Sequence, residues 1–166
     1  MALRELRYFG DPVLKSVCDP VTKFDKATQS LVTDLLDTVK APGRAGLAAP
    51  QIGVSLRVFS YDVDGLSGYV INPEVVEVSP DTHEIGEGCL SVPELWFPTE
   101  RAKYAVVRGV DLRNEPVTVQ GKDVLAQCLQ HEADHLDGTL YIDRLTAARK
   151  REAFKQARGK SWFWNG

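Results

Sequence analysis

The residues with most chemical potential are in Gln130-His131-Glu132-Ala133-Asp134-His135. On a helix, His131 and His135 lie one turn apart on one face and can hold a single metal ion. Glu132 then stands beside them, placed to act as general base on a water that the metal binds. The chain has only 3 histidines, so a pair at this spacing is a concentrated signal. The bland alternative is two core histidines satisfied by hydrogen bonds. Each would need its own buried partner, whereas one metal serves both.

Two further segments could complete such a site. In Gly86-Glu87-Gly88-Cys89-Leu90-Ser91 two glycines let the backbone pass close to another element. Cys89 there fits either a buried structural thiol or a third ligand, a Cys-His-His set that leaves a fourth position for water. Glu87 beside it is expected to pair with a cation, Arg101 being the candidate, or else to be a solvated surface acid. The other segment, Gly43 to Gly53, is dense in small residues. Gly46 is expected in a backbone conformation closed to other residues, and Gln51 is a lone amide among apolar neighbours that needs partners, a substrate carbonyl among them. Cys128, one turn before His131, fits both pocket lining and core filler. His83, among Asp81, Thr82 and Glu84, reads as an exposed loop residue and not a ligand, and Cys18 as a small buried hydrophobe.

These groups need elements to position them. From Asp123 the apolar set Val124, Leu125, Cys128 and Leu129 has helical spacing and runs directly into the histidines, with Gly138 as the stop. An earlier helix is predicted over Phe24 to Lys40, with Leu31, Val32, Leu35, Leu36 and Val39 on one stripe and Asp25 as N-cap. Strands are predicted over Leu56 to Tyr61, Gly68 to Asn72, Val75 to Val78, Ala102 to Leu112 and Val117 to Gln120. Pro93 to Pro98 reads as a loop bearing aromatic surface. The expected fold class is α+β: antiparallel strands around a central metal-binding helix, with one helix before it and one after. A catalytic domain over 1–145 is followed by a basic helical tail over 146–166. That tail is either simply solvated or a contact surface for an acidic partner such as RNA, and the aromatic Ser161 to Gly166 either packs back or moves.

Composition narrows the classes. A length of 166 residues suits one domain with a real core. The net charge of −3 gives no reason to expect DNA or an acidic membrane as the main partner. No apolar run is long enough for a membrane helix, and the start is too charged for a secretory signal, so a cytoplasmic protein is expected. Cys18, Cys89 and Cys128 are an odd, widely spaced set, which fits reduced thiols.

Taken in order, the three segments resemble the peptide deformylase family over nearly the whole chain. That family carries Gly-x-Gly-x-Ala-Ala-x-Gln, Glu-Gly-Cys-Leu-Ser and Gln-His-Glu-x-Asp-His. The corresponding stretches here are Arg44 to Gln51, Glu87 to Ser91 and Gln130 to His135, with Arg44 in place of the first glycine. His-Glu-x-x-His alone also fits zinc endopeptidases; Cys89 separates the two readings. The resemblance implies removal of the formyl group from the initiator methionine of new polypeptides, with release of formate. It implies Cys89, His131 and His135 as metal ligands, Glu132 as acid/base, and Gln51 with the Leu90 backbone amide as holders of the carbonyl oxygen, in a loop that keeps Gly46. The metal implied is Fe2+, with Zn2+ or Ni2+ able to take the same ligands. The expected partners are N-formylmethionyl peptides and, through the basic tail, the ribosome, with the chain a monomer. Leu125, Cys128 and Ile85 are the expected groove for the methionine side chain. Trp96-Phe97 resembles Gram-positive or actinobacterial members.

Overall fold

Leu31, Val32, Leu35 and Val39 recur at helical spacing, and they form the buried face of α1 (Lys26–Val39). The Asp25 side chain caps it by accepting a hydrogen bond from the Thr28 amide at 3.1 Å. In the computed structural model, which describes residues 3–165, this face packs with Leu47, Val58 and Ile71 of a five-stranded sheet. That sheet comprises β1 (Gly46–Ala48), β2 (Val58–Val63), β3 (Leu66–Val78), β6 (Tyr104–Val110) and β7 (Pro116–Lys122), in the order β1-β2-β3-β6-β7. All its pairings are antiparallel.

Three strand expectations change. Gly68 to Asn72 and Val75 to Val78 are one strand, because Asn72-Pro73 makes a bulge rather than a turn, with register breaks at Ile71/Glu74 and Val75/Glu77. Asn72 takes φ 52°, and its side chain bonds both backbone groups of Val21, at 2.8 and 3.0 Å. Ala102 ends one strand and β6 begins at Tyr104. Pro93 to Pro98 is not a loop: it lies within β5 (Val92–Ala102), which pairs with β4 (Thr82–Cys89) as a separate two-stranded sheet. Each strand of a two-stranded sheet is an edge, so prolines fit where the missing N–H would face outward. His83 therefore lies in β4 opposite Arg101, half-buried rather than exposed, and its Nε2 has no partner.

The core runs on both sides of α2 (Val124–Leu136). Leu125, Cys128, Leu129 and Leu136 pack with Phe59, Val70 and Val107 of the large sheet, and with the buried Cys18. The opposite side of the helix meets the β4–β5 hairpin. Past α2, a 3₁₀ turn (Tyr141–Arg144) leads into α3 (Ala147–Arg158) and α4 (Ser161–Asn165). Ala153 and Ala157 of α3 are buried with Val92, Leu95 and Phe97 of β5. The aromatic end packs back: Phe9 sits 5.6 Å from Phe154 edge-on and 6.0 Å from Phe163, stacked. Gly166 lies outside the described residues. Among them, no helix is long and apolar enough to cross a membrane.

Candidate metal centre and active site

The inward face of α2 changes from apolar to polar where it leaves the sheet. Helical periodicity puts His131 and His135 together there, their Nε2 atoms 3.1 Å apart. Cys89, the last residue of β4, brings Sγ to 3.4 Å from His135 Nε2. The three ligand atoms lie within 4.8 Å of one another. His131 and His135 are 8% and 0% exposed. A single proton between the facing Nε2 atoms satisfies that pair alone, as an N–H···N bond, whereas one ion satisfies both nitrogens and the Cys89 thiolate together. One soft sulfur and two borderline nitrogens are the donor chemistry of Fe2+, Zn2+ or Ni2+. The donor set fits a resident metal.

The surrounding groups orient His131, whereas His135 Nδ1 has no partner among the described residues. Glu87 Oε2 lies 2.6 Å from His131 Nδ1, which keeps a proton on Nδ1 and leaves Nε2 free to ligate. Arg101 donates to both Glu87 oxygens at 2.9 and 2.6 Å, so the expected Glu87–Arg101 pair forms, and it is fully buried. Burial pushes the Glu87 carboxyl up, but the hydrogen bonds and charges of Arg101 and His131 outweigh it and hold it at about 2. The same burial depresses His135, reinforced by the His131 and Arg101 charges.

Glu132 is 3% exposed, and its Oε1 has no protein partner. Burial raises its pKa to about 7, against the lowering effect of His131. Its Oε2 reaches 3.9 Å from His131 Nε2. A Cβ on Gly46 would stand 2.6 Å from that Oε2 and 2.8 Å from Cys128 Sγ. Gly46 does not adopt the left-handed conformation expected of it; positive φ falls at Gly43 and Gly53 instead. Its contribution is space.

Gln51 lies on a 3₁₀ turn (Ala49–Ile52) and is 1% exposed. Its Oε1 accepts from the Ala48 amide at 2.9 Å, which turns Nε2 toward Ser91 Oγ (3.1 Å) and Cys89 Sγ (3.7 Å). Nothing local in the sequence signals that Ser91 meets a residue forty positions earlier. Leu90, with Ser91, forms the turn of the β4–β5 hairpin. Arg44 donates to the Thr38 carbonyl at 2.8 Å, tying the loop entry to the end of α1.

These residues border a cavity of about 540 Å³ whose walls include Gly46, Gln51, Leu90, Cys128 and Glu132. Leu125 and Ile85 are not in those walls, contrary to expectation. On α2 the cavity face is Val124, Gln127, Cys128, His131 and Glu132, while Leu125 belongs to the sheet-facing stripe with Leu129 and Leu136. Ile85 lies four residues up β4 from Cys89, roughly 13 Å along the strand. Val124 and the exposed Trp96 stand in the walls instead.

Residues 3–151 match the family model described as Polypeptide deformylase. The chain is 52% identical over 163 residues to the peptide deformylase of Acidothermus cellulolyticus, covering 98% of this chain and 89% of that one. It is 43% identical to Peptide deformylase 1 of Corynebacterium glutamicum, over 98% and 99% of the two chains. Both relatives are actinobacterial, in line with the Trp96-Phe97 resemblance. The fold is similar to the crystal structure of a peptide deformylase from Legionella pneumophila, with a TM-score of 0.89 and 37% identity over 95% of each chain. Sequence and fold agree along almost the full length: the chain belongs to the peptide deformylase family and is a metal-dependent hydrolase that removes the formyl group from the N-terminal methionine of nascent peptides.

Proposed function

We propose that Cys89, His131 and His135 hold the metal, that Glu132 moves the proton, and that Gln51 with the Leu90 amide holds the formyl oxygen. The observation that carries this reading is the approach of two buried Nε2 atoms and one Sγ to a common point. A divalent ion on these ligands supplies a Lewis acid and makes water acidic enough to attack near neutral pH. Glu132 Oε1 takes the proton of the attacking water and delivers it to the nitrogen of the departing amine, a task suited to a carboxyl poised at about 7. Gln51 Nε2 donates to the oxygen on which negative charge develops as the formyl carbon becomes tetrahedral. Formate and a free amino terminus result. The ion is Fe2+, with Zn2+ or Ni2+ able to substitute, since a thiolate with two imidazoles accommodates all three.

The division into a catalytic unit (1–145) and a basic tail (146–166) is part of the same proposal, as are monomeric action, a cytoplasmic location and contact of the tail with the ribosome. For the tail, Arg149, Lys150 and Lys160 pair with Glu84, Asp143 and Glu94, while Arg151 and Lys155 are exposed on α3 and suit an acidic surface.

The test is anaerobic purification with metal analysis, followed by formate release from a formyl-Met peptide. Wild type should carry about one ion per chain, Cys89→Ala should lose it, and Glu132→Ala should keep it but turn over at least ~100-fold slower. Full metal content in Cys89→Ala, or full activity in Glu132→Ala, overturns the corresponding role.

A further inference from the structure

Asp134 lies on α2 between the two histidines in sequence, and a chain of charge-assisted bonds runs from Arg144 through Asp134, Arg101 and Glu87 to His131. Arg144, the last residue of the 3₁₀ turn after α2, grips Asp134 with a fork: Nε to Oδ2 at 2.6 Å and Nη2 to Oδ1 at 2.7 Å. Asp134 Oδ2 also accepts from Arg101 Nη1 at 2.8 Å. Arg101 gives its Nε and Nη2 to Glu87, and Glu87 holds His131 Nδ1.

We propose that Arg144 is a positioning residue for the metal site, acting through Asp134, Arg101 and Glu87 on His131. The proposal rests on His131 being a ligand. Its physical basis is charge count and geometry. Glu87 and Asp134 face a single buried guanidinium, that of Arg101, whose side chain is 2% exposed. With Arg144 present, two cations meet two carboxylates, and Arg101 can commit two of its N–H groups to Glu87. Without Arg144, Asp134 has Arg101 as its remaining cation and draws it away from Glu87, leaving the carboxylate that orients His131 less firmly held. Arg144 alone in the chain of bonds is half in water, with 49% of its side chain exposed, so it can be replaced without opening the core. A purely structural tie between the turn and α2 would change stability and nothing at the ligands.

The test uses Co2+-loaded protein. For wild type, Arg144→Met and Arg144→Lys, the rate of Co2+ loss to a chelator and the visible Co2+ absorption spectrum are recorded, with the thermal midpoint of metal-free protein alongside. Arg144→Met should release Co2+ about tenfold faster, with an altered spectrum, as loss of support to a ligating histidine does. Arg144→Lys, which keeps charge but not the fork, should fall between, and carries the same comparison should Arg144→Met not fold. In a Glu87→Gln background the Arg144→Met effect on release should shrink to under twofold, because the link is already cut. Wild-type release and spectrum with only a lowered midpoint overturn the proposal, as does an undiminished effect in Glu87→Gln. If Cys89→Ala releases Co2+ like wild type, or if wild type takes up none, it is the ligand assignment that has failed, and the relay falls with it.

Discussion

The Glu132 carboxylate fills the volume that a side chain at position 46 would occupy, its Oε2 2.6 Å from where a Cβ of Gly46 would stand. Gly46 has an ordinary backbone conformation, so alanine there is strained only by this contact and by Cys128 Sγ at 2.8 Å. Gly46→Ala should therefore push Glu132 aside and lower kcat by about 100-fold, the scale of a misplacement near 1 Å, while metal content and KM stay close to wild type. Steady-state kinetics with metal analysis check it; a fall in metal content alone would point to a different cause.

Glu87 makes stability sensitive to acid. Its folded pKa of about 2 lies below the ordinary value of 4.5. The stability it contributes is thus complete above about pH 4.5 and is lost as pH falls toward 2. Glu87→Gln breaks a buried pair and should cost roughly 3 kcal/mol at neutral pH. Denaturant unfolding at pH 6.5 and pH 3 should show the gap between variant and wild type narrowing in acid. A gap that widens there would contradict the pairing.

Leu125 and Cys128, near neighbours on α2, should respond oppositely. Leu125 belongs to the sheet-facing core, so Leu125→Ala should cost ~3 kcal/mol and leave the preference for methionine unchanged. Cys128 belongs to the same core cluster but also stands in the cavity wall, so Cys128→Phe should cut kcat/KM for formyl-Met peptides at least tenfold. Competition between formyl-Met and smaller formyl-aminoacyl peptides separates the two.

The oxyanion role proposed for Gln51 depends on its orientation as well as its presence. Gln51→Ala should lower kcat by about 100-fold, the loss typical of one oxyanion donor. Ser91→Ala removes the acceptor that aims Nε2 and should cost less, about tenfold, without changing metal content. Equal, negligible effects would exclude this amide as the donor.

The helical part of the site was readable from sequence because periodicity is local. Val124, Leu125, Cys128 and Leu129 lead into His131 and His135, and α2 carries them as expected. Gln51 was readable as an amide in need of partners. The β4–β5 hairpin was not, because Gly86, Gly88, Pro93 and Pro98 are poor strand residues by propensity, tolerated here because the two strands pair only with each other. Chain proximity misleads for the groove: Leu125 is near His131 in sequence but on a different face of the helix. The Arg101–Asp134–Arg144 contacts join residues of three elements, and no spacing rule announces them.

The hairpin is hydrogen-bonded as a sheet apart from the large one, yet it ends in Cys89, while His131 and His135 ride on the helix packed beneath the large sheet. On the proposed ligand set, a bound ion would close a ring of about forty residues through two independently paired units, much as a crosslink does. Chelation should then be felt first in amide exchange along β4 and β5, which would open while the five-stranded sheet stays protected.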